Sequence, residues 1–145
     1  MLQNWGIPVE NYFQMDFSPA QVNAVSNLGL AHLGDGVFEL LCRAYLCAHG
    51  DATVKTLHRD AVSLVNAPAQ ARFAEKLLPL LTPAEADCFR RGKNAHTHAA
   101  PKAATHREYA MATGVETLFG ALYLRGQTAR INALFSAVME ALYGI

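Results

Sequence analysis

Leu30-Ala31-His32-Leu33-Gly34-Asp35-Gly36-Val37-Phe38-Glu39-Leu40-Leu41 is the stretch whose reading decides the fold. It lies in a longer run, residues 27–49, in which Leu28, Ala31, Leu33, Val37, Leu40, Leu41, Ala44 and Tyr45 recur at spacings of three and four. That period predicts an amphipathic helix, with Gly50 as its C-terminal stop. The Gly-Asp-Gly triplet opposes it. Each interior glycine costs about 1 kcal/mol relative to alanine, and Asp is itself a poor interior residue. A helix that carries all three needs something to offset them. Glycines admit the close approach of a backbone or a ligand, and an Asp between them suits a carboxylate reaching a cation. The competing reading is a surface Asp between two packing glycines. Glu39, one turn on, shares the Asp35 face, where it joins a metal shell or, as the better reading, pairs with a base or faces solvent.

Outward from this helix the chain reads as helix after helix. Upstream, residues 1–17 lack periodicity, and Ser18-Pro19 is an N-cap with proline at the first helical position. Downstream, helices are expected over residues 54–65 and 67–80, with Asn66 capping the second. Thr82-Pro83-Ala84-Glu85 is a capping box that opens a helix to about Arg91. Gly92 is expected to end it, with Lys93, Asn94 and Ala95 starting a loop that runs through residues 95–104. Thr105 caps a helix to about Leu124, and Thr128 another to about Leu142. No stretch alternates as a strand does. The expectation is one all-α domain spanning residues 1–145.

Composition narrows the function classes. Hydrophobic residues reach 52% and charged residues 17%, which excludes a disordered chain. Twelve basic residues balance twelve acidic ones, so a nucleic-acid contact has to come from a local patch rather than from net charge. Three cysteines (Cys42, Cys47, Cys88) form no CxxC; Cys42 and Cys47 read as core residues, which favours a reducing, cytoplasmic setting. No leader peptide and no membrane-length apolar run is read.

Two further segments carry chemistry. Glu116 stands alone in Ala112-Thr113-Gly114-Val115-Glu116-Thr117-Leu118-Phe119-Gly120, where the neighbours are small or apolar. A carboxylate there requires a cation or a base. From the segment alone, metal ligand and ion-pair partner are equal readings. Between Asp87 and Glu108 there is no acid, while Arg90, Arg91, Lys93, Lys102 and Arg107 cluster with His96, His98 and His106. With Asn94 this is the candidate RNA patch, suited to phosphate and ribose contacts; the alternative is an ordinary solvated basic loop. His96 and His98 as a metal pair is the weaker idea, since no third ligand appears.

Together these segments resemble the ribonuclease III catalytic domain, most closely its Mini-III subfamily. Residues 33–39 look like the signature helix, and Ser63-Leu64-Val65-Asn66 like the helix junction downstream. Gly114 to Gly120 resembles the second acidic motif. Arg91-Gly92-Lys93-Asn94-Ala95 resembles the basic loop of Mini-III. The match runs from about Leu28 to Leu124 in the family's order. It implies a Mg2+-dependent endoribonuclease on double-stranded RNA, with Asp35 and Glu116 as catalytic and metal-holding carboxylates. It also implies a homodimer and a precursor of large-subunit ribosomal RNA as substrate; the apolar side of the 27–49 helix, with Val37, Phe38 and Leu41, reads equally as part of that interface and as core. Where longer relatives carry further acids, this chain has Leu28, Ala31 and Thr113. No separate double-stranded-RNA-binding domain is expected, so recognition falls to the catalytic domain. The rival readings are a non-catalytic duplex-binding protein of the same fold and a helical protein-interaction module.

Overall fold

A computed structural model of the chain describes residues 6–49, 53–95 and 104–144. Its centre is α6 (His106–Leu124), which is apolar on nearly every face and accordingly buried from Ala110 to Val115 and from Thr117 to Gly120. Around it pack α2 (Asn27–His49), α4 (Ala67–Leu77), α5 (Pro83–Ala95) and α7 (Thr128–Tyr143). The short α1 (Pro19–Asn23) and α3 (Val54–Val65) complete seven α-helices, with no strand among the described residues. The fold is the expected all-α domain.

Close passage of α2 across α6 is made possible by two glycines. A Cβ on Gly34 would sit 1.6 Å from the Glu116 carbonyl oxygen, and one on Gly120 would sit 2.1 Å from that of Leu30. Gly34 thus admits a backbone, one of the two roles expected of the triplet, whereas Gly36 has nothing within 4 Å. Beneath the crossing, Phe38 meets Phe73 edge-on at 5.0 Å and Phe119 at 5.9 Å between ring centres. Such T-shaped pairs add to the apolar area already buried. Phe38 is therefore core, not interface. Cys42 is a buried free thiol as expected, and Cys88 is buried too, but Cys47, also read as core, is exposed. Five residues beyond Cys42, it has turned well off the inward face.

Helix starts follow the capping signals. Ser18 and Gln21, and Thr105 and Glu108, close reciprocal capping boxes. Thr82 and Glu85 exchange the same two bonds at 2.9 and 3.2 Å. Asn66 accepts from the Ala69 amide at 2.9 Å. Three boundaries differ from expectation. The helix over 67–80 yields at Leu77 to a 3-10 turn, Leu78–Leu80, because Pro79 has no N–H to continue the ladder. Thr128 is the first helical residue, with Gln127 at the cap position and no side-chain cap bond. Gly92 does not end α5, which continues to Ala95. A Cβ at Gly92 would lie 2.2 Å from Thr117 Oγ1, so this glycine serves close helix packing rather than termination. Gly50 lies outside the described residues.

Candidate active site

Asp35 projects from the exposed side of α2, while Glu116 emerges half-buried from α6. The crossing at Gly34 brings the two near enough for the Asp35 carboxylate to act on that of Glu116. Burial, followed by repulsion from Asp35, raises the Glu116 pKa to about 8. Against this, Gln70 of α4 donates from Nε2 to Glu116 Oε2 at 3.4 Å. Gln70 is 3% exposed, and its Oε1 is buried without a hydrogen-bond partner among the described residues.

Other candidate ligands stand apart. Glu39 pairs with Arg43 at 3.5 Å on the exposed face, the role favoured for it from sequence. The Thr113 hydroxyl donates back to the Tyr109 carbonyl at 3.0 Å and does not join the site. Among the described residues no group of three or more His, Cys, Asp or Glu is poised to hold a metal. His96, His98 and Lys102 lie outside the described residues.

The basic patch divides. Arg90, Lys93, Asn94 and Arg107 line one cleft with Phe89, while Arg91 faces a separate groove beside Ser26 and Asn27. Most of its charge is already partnered. Asp87 holds both Arg90 and Arg91, and Glu75 holds Arg107 at 3.5 Å. Among the described residues no ion pair engages Lys93, which is exposed with Asn94. Arg107 and Glu116 are nine residues apart on α6, two and a half turns, so they leave opposite sides of it. The cleft and the paired acids thus open in different directions.

Sequence reasoning missed Gln70. The available signal was a single amide on an α4 face otherwise made of Ala69, Ala71, Phe73 and Ala74.

Comparison with known proteins places this geometry in a class. The ribonuclease III domain model matches residues 28–127. The Mini-ribonuclease 3 of Symbiobacterium thermophilum is 45% identical over 113 residues, covering 78% of this chain and 87% of that protein. That of Synechocystis is 39% identical over 130 residues, covering 87% and 88%. A solved structure from Fusobacterium nucleatum superposes with a TM-score of 0.73 at 32% identity, covering 81% of this chain and 90% of that one. The chain belongs to the ribonuclease III family, in its Mini-III branch, and is an endoribonuclease.

Proposed function

We propose that this protein is a magnesium-dependent endoribonuclease of double-stranded RNA that matures the precursor of large-subunit ribosomal RNA. It acts in the cytoplasm as a homodimer, residues 1–145 forming one catalytic domain that also recognises the duplex. The observation that carries this reading is the meeting of Asp35 and Glu116, two acids far apart in sequence, with no ion pair to a base at either among the described residues.

The residues suit a hard divalent ion. Mg2+ prefers oxygen donors and keeps several waters when held by one or two carboxylates, and a cation would relieve the repulsion that raises Glu116. The Gln70 amide that bonds Glu116 also carries an acceptor, Oε1, without a partner among the described residues, which suits a further polar group. When bound, the ion supplies charge neutralisation at the phosphate and a lowered pKa for water. Asp35, exposed, faces the substrate side and orients the attacking water; Glu116, recessed, holds the site from beneath. Lys93 and Asn94, with Arg90 and Arg107, supply phosphate contacts that position the duplex without reading its sequence. Lys102 is assigned to the same surface from sequence. Pairing of two copies is supported by an exposed apolar groove in which Phe13 and Leu40 join the half-buried Val37, Leu41 and Tyr123.

The test compares wild type with Asp35→Asn on a transcribed large-subunit precursor helix and on an unrelated duplex of equal length. Expected are Mg2+-dependent cuts in the wild type, faster on the precursor, and loss of cleavage with duplex binding intact in the variant. Full activity of D35N would refute the site, and equal rates on the two duplexes would remove the ribosomal substrate. The non-catalytic alternative predicts no cleavage of either.

A further inference from the structure

Gln70 is fixed by bonds that leave its orientation no choice. Its Nε2 donates to the Val65 carbonyl at 2.9 Å and to Glu116 Oε2 at 3.4 Å. Val65 ends α3, where a carbonyl has no partner within its own helix. A flipped amide would set oxygen against oxygen there, so the nitrogen must face Val65 and Oε1 must point elsewhere. The backbone beneath is equally constrained. The Asn66 side chain caps α4 through the Ala69 amide, and the Gln70 amide returns to the Asn66 carbonyl at 3.0 Å. The Ser63–Asn66 junction therefore delivers one carboxamide, at a set angle, to the acid on α6.

We propose that Gln70 is a positioning residue for the acidic site: it hydrogen-bonds Glu116 and offers its unpaired Oε1 as the acceptor for a water of the bound ion's hydration shell. This rests on the divalent-ion reading given above. A buried acceptor without a donor is uncommon in folded proteins and calls for a specific partner. No described side chain supplies one, and Glu116 Oε2 lies 3.4 Å from the nitrogen of the same carboxamide. Mg2+ retains waters whose hydrogens are strong donors, and residues that orient ligands in this indirect way govern metal affinity.

The probe is Mn2+, bound to the protein without RNA and followed by the loss of its free-ion EPR signal. Gln70→Met keeps the length of the side chain and removes both donor and acceptor. Expected are a Mn2+ affinity lowered about tenfold and a lower kcat on a short duplex with KM unchanged, with the melting temperature in EDTA kept within a few degrees. Mn2+ affinity within twofold of wild type would leave Gln70 as a structural bridge and overturn the role. Should Q70M fail to fold, Gln70→Glu serves. It keeps an acceptor oxygen but adds a third negative group, so it should melt lower in EDTA and gain more from Mn2+ than wild type does. An equal or smaller gain overturns the proposal. The two readings fail differently. Wild-type affinity lost in D35N but kept in Q70M sinks only the role of Gln70, whereas affinity unaltered by D35N sinks the acidic site and Gln70 with it.

Discussion

A carboxyl group half-buried beside a second one carries an electrostatic cost that the metal-free protein bears unrelieved. Glu116 ionises near 4.5 in an unfolded chain and near 8 in the folded one. Between those values the folded state holds a proton that the unfolded state has released, so stability falls as pH rises through that window. Glu116→Gln removes the effect. In EDTA the variant should melt higher than wild type at pH 8, by on the order of 1 kcal/mol or about 3 °C, with the gain shrinking toward pH 4.5. Asp35→Asn should move in the same direction by removing the neighbouring charge. Scanning calorimetry across pH checks both, and a Glu116→Gln gain that does not change with pH would mean the carboxyl is not under strain. Asp35 and Glu116 were legible in the sequence because each is an expensive residue in its setting, an acid between glycines and an acid among apolar neighbours. Gln70 was not legible. A neutral amide on an alanine-rich face costs little to read as ordinary, and its meaning depends on a partner 46 positions away.

At the scale of the helix, the two glycines around Asp35 separate. Gly34→Ala would drive its Cβ into the Glu116 carbonyl, where no side chain can yield, and should destabilise by about 2–4 kcal/mol through displacement of α2 from α6. Gly36→Ala meets open space and should stabilise by about 0.5–1 kcal/mol on helix propensity alone. Urea denaturation of the pair decides, and equal effects would break the close-approach account. Sequence spacing could expose the cost of the triplet but not which glycine faced a backbone, because that depends on the crossing of α2 with α6. Gly92 misled for the same reason: terminal and packing glycines look alike until the neighbour is known. The start of α5, by contrast, was plain from its capping box, and its Glu85 also receives Arg130 of α7 at 2.7 and 2.9 Å. Chiefly through that bond, the Glu85 pKa lies below its usual 4.5. The contribution of an acid so lowered is present above that value and lost as pH falls through the folded pKa. Glu85→Gln should therefore lower stability by about 1–2 kcal/mol at pH 7, the figure reduced because Arg130 is partly exposed. The difference should fade under strong acid, and thermal melts that show a constant gap at every pH would remove the pair as its cause.

Over the whole molecule, the basic cleft, the acid pair and the exposed apolar groove are separate features of one copy. The basic cleft opens on one side of α6 and the acid pair on the other, with α4 touching both through Glu75 and Gln70. Asp87 and Glu75 already neutralise much of that cleft, which leaves Lys93 as its cation without an ion pair among the described residues, so sequence clustering alone overstated the free charge. A single copy can therefore release few counterions from a duplex. On the proposed pairing of two copies, the exposed groove of Phe13 and Leu40 would double that number, since large apolar side chains left in water mark a binding face. Phe13→Glu with Leu40→Glu should yield a species of single-chain mass in sedimentation equilibrium. The slope of log affinity for duplex RNA against log salt should fall to about half, because each duplex then meets one basic cleft in place of two. Mn2+ binding should be unchanged, as neither substitution touches α4 or Glu116. A variant that sediments as one chain yet keeps the wild-type slope would show that each duplex is held by a single copy, and the pairing would have no part in recognition.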